Sequence, residues 1–220
     1  GLNEFLNMAI ARQRGRPYTV SEYNQPWPNR QGAEIDPTLA VFGAFQDWDS
    51  IMHFAYEHSR TWDDGVPNGF NINGDWTKWV NLGQAALLFR WDAIRPAIEA
   101  IDLPVSQALR LRATREKRNS ALNTFLATAL GWNSANALLH SVRLIKDGGG
   151  PVPETARSKP EPPYRSDTGE FTFDPNARLF LIHAEKAAGV FGFAGQNPVT
   201  AGAIDVELAP GSRGSATVLL

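Results

Sequence analysis

Ser50–Tyr56 (SIMHFAY) is an almost unbroken apolar run. A strand with one face in water alternates apolar and polar residues. A continuous run instead fits a strand covered on both faces, as in a parallel sheet wrapped by helices. The residues around it fit that demand. Pro17–Tyr23 (PYTVSEY) is a second short run, β-branched and aromatic, that stops at Asn24. Between the two, Leu39, Phe42, Gly43 and Phe45 recur at helical spacing from about Pro37 to Gln46. Leu2, Phe5, Leu6, Ala9 and Ile10 predict a helix over Gly1–Arg14, closed by Gly15. Thr77–Phe89 predicts another after a polar loop. Helix, strand, helix, strand, helix is the order of parallel β/α architecture.

Past residue 98 the pattern changes. Arg110–Arg118 (RLRATREKR) is a basic run that suits a solvated face better than a binding patch. Ala121–Leu130 and Ser134–Ile145 are predicted helical, parted by Gly131, Trp132 and Asn133. Asp147–Pro163 has the Gly- and Pro-rich composition of a linker. Beyond it, Glu170–Phe173, Leu179–His183, Gly189–Phe193, Ala203–Leu208 and Ser215–Leu220 are short strand-like runs between turn residues. They predict an antiparallel sheet with Phe171, Phe173, Leu179, Leu181, Val190 and Phe193 on its buried face.

The expected organisation is therefore α/β followed by all-β. Residues 1–98 would be the last β/α units of a (β/α)8 barrel, 99–165 a helical and Pro/Gly-rich connecting segment, and 166–220 a β-rich accessory domain. A whole barrel takes about 250 residues. Two parallel strands within 220 residues thus predict a fragment of a longer protein, with its last strand cut.

Composition narrows the function. Lys and Arg number 21 against 23 Asp and Glu, a net charge of −2, which argues against nucleic acid or an anionic membrane as partner. No apolar run approaches the roughly 20 residues of a membrane span. The absence of cysteine removes disulfides, thiolate nucleophiles and cysteine-ligated metals. His53, His58, His140 and His183 show no paired-ligand spacing, so no metal is expected. Neither GxGxxG nor GxxxxGK[ST] occurs, and Gly148–Gly150 reads as a joint.

Two loops hold the candidate chemistry. Glu22 lies at the C-terminal end of the first strand, the end at which parallel barrels present their active sites. Asn24, Trp27 and Asn29 follow it, offering amide donors and an indole face, a set that suits a sugar. The second loop carries Tyr56, Glu57, His58, Arg60, Thr61 and Trp62, with Trp62 as a possible stacking floor. The plain alternatives are a salt-bridging glutamate and core aromatics. His58 lacks an accompanying Ser or Cys nucleophile motif. Asp47 and Asp49 precede their strand and belong on the opposite rim, where stability is the default role.

Three segments, RPYTVSEYNQPWPNRQGAE (Arg16–Glu34), FQDWDSIMHFAYEHSRTW (Phe45–Trp62) and ALLFRWDAIRPA (Ala86–Ala97), resemble the seventh and eighth β/α units of clan A glycoside hydrolases. The nearest likeness is to the β-galactosidase-like families. Ser166–Gly195 more loosely resembles the accessory β-region that follows such barrels. The resemblance implies that Glu22 is the catalytic nucleophile, with Trp62 or Tyr56 lining the sugar subsite. It also implies a carbohydrate substrate and no cofactor, and exported enzymes are common among these families. The acid/base glutamate of the family ends its fourth strand, and nothing before Glu22 can supply it.

The expected function is thus a part of a retaining glycoside hydrolase acting on a β-linked oligo- or polysaccharide. Glu22 would attack the anomeric carbon while Asn24, Trp27, Asn29, Tyr56, Glu57, His58 and Trp62 contact the sugar. The competing expectation is a non-catalytic carbohydrate-binding or structural module on a degenerate barrel. An unrelated α/β hydrolase is disfavoured, since no G-x-S-x-G elbow occurs.

Overall fold

A computed structural model of the chain describes residues 2–58, 69–116, 122–148, 150–194, 197–209 and 214–219. Helix α1 (Leu2–Ala9) buries Phe5, Leu6 and Ala9 and stops short of the predicted Arg14. The chain turns at Ile10–Ala11, meets Leu144 through a parallel bridge at Gln13, and turns again at Gly15, φ +71, ahead of β1 (Thr19–Tyr23). Helix α2 (Gly32–Phe45) starts before Pro37 and takes that proline inside. Strand β2 (Ser50–His53) follows and pairs in parallel with β1, but it is not covered on both faces as its apolar run predicts, since Met52 is 55 % exposed. Helix α3 (Trp76–Arg90) closes this half, with the Asp75 side chain capping it by accepting from Thr77 N–H.

A second parallel pair is the first departure from the sequence reading. Strand β3 (Ala100–Val105) pairs with β4 (Ser141–Lys146), linked through α4 (Gln107–Arg115), α5 (Leu122–Leu130) and a 3-10 turn over Ser134–Leu138. The helix predicted over Ser134–Ile145 therefore ends after one turn. Val142 and Leu144 alternate with Arg143 and Ile145, and that period of two matches the ladder offered by Ile101, Leu103 and Val105. β3 escapes notice because Pro104 interrupts it. An edge strand tolerates that proline, since its missing N–H would face away from the partner. The described part of the basic run lies on α4, which buries no residue. Arg112 there pairs with Glu116 at 3.6 Å.

Both parallel pairs pack on one core that includes Phe5, Ile10, Val20, Phe42, Leu103 and Val142. Among the described residues they form no closed barrel.

After a short helix α6 (Glu154–Arg157) the chain becomes β. Strands β5 (Tyr164–Arg165), β6 (Phe171–Asp174), β7 (Leu179–His183) and β8 (Ala188–Ala194) form an antiparallel meander. The hairpin β9 (Val199–Ala201) and β10 (Ile204–Val206) follows, and β11 (Gly214–Leu219) returns to pair with β8. At Gly192 (φ +117) a Cβ would stand 2.1 Å from the Arg178 carbonyl oxygen, so only glycine fits that approach.

The sheet has two covered faces, which divides the predicted buried set. Phe171, Phe180, Ile182 and Phe191 pack on Ala40, Val41 and Phe45 of α2 and on Ala85 and Leu88 of α3. Phe173 lies at the edge of that layer. Leu179, Leu181 and Val190 point the other way, under Ala201 and Ile204 of the hairpin. Phe193, expected inside, is exposed and carries the Arg178 guanidinium 5.7 Å from its ring centroid. Successive strand residues face opposite sides, so Leu179 and Leu181 cannot share a face with Phe180 and Ile182.

The turn before β6 clamps the two halves. Glu170, buried, accepts from Arg95 N–H at 2.7 Å and Arg95 Nε at 2.6 Å, while Asp167 accepts from the N–H groups of Ile98 and Glu99. Glu170 holds the Arg95 guanidinium above its usual pKa.

On β7, desolvation and then the Arg165 charge push the His183 imidazole below its usual pKa. The unfolded chain therefore binds this proton more readily than the folded one. Stability from this group is whole above about pH 6.5 and is lost as pH falls through the lower folded value. Melting curves of the natural chain and of His183→Asn should coincide above neutrality. Below it, the natural chain should lose stability more steeply; parallel curves throughout would refute the assignment.

Candidate active site

Because β1 and β2 run parallel, their C-terminal ends and the loops that follow open on one rim. The two loops are stitched together. Asn24 Nδ2 donates to the Phe70 carbonyl at 2.6 Å, Trp27 N–H to the Gly69 carbonyl at 2.7 Å, and Phe54 N–H to the Tyr23 carbonyl at 3.0 Å. Ala55 N–H reaches the Phe70 carbonyl, and Ile72 N–H returns to the Ala55 carbonyl. Each loop contains a cis peptide bond, Trp27–Pro28 in one and Phe54–Ala55 in the other.

Glu22 is exposed on this rim and makes no hydrogen bond or ion pair with another described residue. Its neighbour Tyr23 points into the core, against Phe5. Burial foremost, joined by the Asp36 and Glu4 charges, pushes the Tyr23 phenol above its usual pKa, although the Gln25 hydrogen bond pulls the other way. The carboxylate is thus the ionisable group that β1 presents to solvent, beside the hydroxyls of the exposed Thr19 and Ser21.

The other sequence candidates divide by what they already hold. Asn24 donates to Phe70 and accepts from Gln25 N–H at 2.7 Å. Asn29 donates to Gln25 Oε1 and accepts from Gln31 N–H. Both amides shape their loop. Trp27 leaves 43 % of its surface exposed. Glu57 Oε1 accepts from Asn71 Nδ2 at 2.6 Å and from His58 N–H at 2.8 Å, which binds it into the second loop. The His58 ring meets Asn71 Oδ1 and packs edge-on to Phe54, while Tyr56 leans on Trp79 with centroids 5.7 Å apart. Trp62, Arg60 and Thr61 lie outside the described residues. Asp47 and Asp49 sit at the other end of the sheet. Asp47 pairs with Arg12, and Asp49 accepts from Tyr18 N–H at 2.7 Å.

Two buried polar groups beneath the rim escape a sequence reading. Lys78 of α3 is fully buried; its Nζ donates to the Gln25 carbonyl at 2.6 Å and lies 3.4 Å from Asp75 Oδ2. Asp36 of α2 meets His53 Nδ1 of β2 at 2.8 Å. The far atoms of this second pair, Asp36 Oδ2 and His53 Nε2, have no partner among the described residues. The signal that could have found Lys78 is its spacing, because Lys78, Asn81, Ala85 and Leu88 share one helical face.

Beside the rim a cleft of about 1010 Å³ opens between the Gln25–Gln31 loop and the β-sheet. Gln25, Asn29, Arg30 and Gln31 line one wall, Phe180 and Phe193 the other. Glu22 lies outside its lining. No group of three or more His, Asp or Glu side chains among the described residues could hold a metal ion.

No family model matches the chain, and neither a curated protein nor a solved structure matches it.

Proposed function

We propose that this chain is part of a retaining glycoside hydrolase acting on a β-linked oligo- or polysaccharide, with Glu22 as nucleophile. The observation that carries the reading is the placement of Glu22. It is an exposed carboxylate with no described partner, at the C-terminal end of a parallel strand beside a second such strand. A nucleophile must be ionised, accessible and rigidly mounted, and a strand end beneath stitched loops supplies the mounting. Trp27 offers a partly exposed aromatic face on the loop that follows β1, and the cleft bordering the same loop has the size of a ligand site. The acid/base carboxyl lies outside this sequence on the same reading.

Chemistry allows a test on this chain alone. A 2-fluoro-2-deoxy-β-glycoside with a dinitrophenolate leaving group needs no protonation to depart. A Glu22 oxygen forms a bond to the anomeric carbon, the bond from that carbon to the aryl oxygen breaks, and dinitrophenolate leaves with the electron pair. Intact mass should rise by one fluoroglycosyl group, and peptide mapping should place it on Glu22. No adduct across gluco-, galacto- and manno-configured reagents, or one on another residue, would overturn the assignment.

The commitment of Asn24, Asn29 and Glu57 to loop contacts favours a second reading, a carbohydrate-binding or structural module without catalysis. Sugar binding without the adduct would select it.

A further inference from the structure

Helix α3 is amphipathic the wrong way round. Its buried side carries Lys78, Asn81, Ala85 and Leu88. Trp76 (68 %), Trp79 and Val80 (63 %) stand exposed, with Leu87 and Trp91 (69 %) continuing the stripe. Surface helices normally set charges opposite their apolar face. Here the only charged side chain between Trp76 and Phe89 is Lys78, and it is buried. Over those fourteen residues, about 21 Å at the helical rise, the outward face carries no formal charge, and the exposed Arg90 follows before Trp91.

The order of residues along that face is as informative as its composition. Gly83 is at the middle, with no described atom within 4 Å of where a Cβ would stand. Val80 and Leu87 flank it one turn away, and Trp76 and Trp91 close the ends. Trp79 stands beside this series against Tyr56, and its mirror position, Leu88, is buried. Within the series, large, branched, small, branched, large reads alike in both directions. A two-fold contact requires this property, because residue i must meet j while j meets i. We propose that this face joins two copies of the chain, with the two α3 helices antiparallel across a two-fold axis at Gly83–Gln84.

In that arrangement Val80 of each copy meets Leu87 of the other, and Trp76 meets Trp91. Gly83 lets the backbones approach at the crossing. The five large side chains expose on the order of 600 Å², taking about 250 Å² for a whole tryptophan. A specific interface uses about 800 Å² per partner. Thr77, Gln84 and Ala86, exposed on the same helix, add to the patch. A neutral glycan could stack on the tryptophans, but it needs neither a central glycine nor a sequence that mirrors itself.

Sedimentation of the full chain across a wide concentration range tests the pairing. The natural sequence should reach twice its 24.2 kDa mass. Val80→Lys or Leu87→Glu alone should weaken association at least about 100-fold by burying an uncompensated charge. Their melting temperature as monomers should be unchanged, since both positions are exposed. The double variant Val80→Lys/Leu87→Glu should recover the dimer, because each lysine then meets a glutamate of the other copy. A dimer untouched by Val80→Lys overturns the surface, and a double variant that stays monomeric overturns the antiparallel register. A natural chain that remains monomeric at every concentration overturns the proposal, including where its tryptophan fluorescence titrates with cellohexaose or laminarihexaose.

Discussion

Glu22→Gln is expected, on the nucleophile role proposed above, to cut turnover of an aryl β-glycoside by the parent enzyme that this proposal implies by on the order of 10⁴–10⁶-fold, the range seen when one member of a covalent catalytic unit is lost. An amide oxygen cannot form the glycosyl ester through which a retaining mechanism passes. The same change should leave folding within about 0.5 kcal/mol of the natural protein. Glu22 is exposed and has no described partner to lose. Parallel measurement of turnover and melting temperature separates the outcomes. Near-natural turnover in the variant would reduce Glu22 to a surface residue at a strand end. A large fall in melting temperature would mean that the carboxylate holds structure instead.

Lys78→Met is expected to have the largest effect on stability. Methionine approximates the length of the lysine stem, so the change removes the ammonium while disturbing packing little. It leaves Asp75, 2 % exposed, without its cation and the Gln25 carbonyl without its donor. Breaking a buried pair from one side costs about 3–5 kcal/mol. In a chain of this size that corresponds to a fall of roughly 6–20 °C in melting temperature. Asp75→Asn on top of Lys78→Met should restore part of the loss, because the amide oxygen can still cap α3 while the stranded charge is gone. A single variant that melts with the natural chain would show the ammonium to be unnecessary. A double variant no better than the single would locate the loss at Gln25 and its loop.

The parts of the fold that were legible in the sequence depend on local pattern. SIMHFAY and PYTVSEY announce β1 and β2 as short apolar and β-branched runs bounded by turn residues, and their direction follows from the helix between them. Glu22 was legible for the same reason, since its role as a candidate rests on where a strand stops. β3 and β4 were not. Pro104 hides one, and Ser134–Ile145 has enough Ala and Leu to imitate a helix until His140 and Ser141 break it. The phase of β7 was misread because LFLIH is apolar at every position but the last. Only the presence of cover on both faces decides which residues point where. Lys78 and the Asp36–His53 pair lie furthest from sequence logic. A lysine between two tryptophans looks like the wet side of a helix, and nothing local shows that the Gln25 carbonyl is waiting for it.

The layer in which Phe171, Phe180, Ile182 and Phe191 meet α2 and α3 bears on how such a chain can change over evolution. The composition shifts near residue 166, but the hydrophobic seam does not follow that shift. A recombination that imported a new C-terminal sheet there would leave Val41, Phe45 and Leu88 facing foreign side chains. The heritable unit is therefore the sheet together with the two helices it covers, and those helices also carry Lys78 and Asp36 beneath the rim. Substitutions that reshape the sheet face bear on the loop that follows Glu22 through one face of α3, which sets Ala85 and Leu88 against the sheet and Lys78 against the Gln25 carbonyl. Drift in one half of the molecule is answerable to selection in the other.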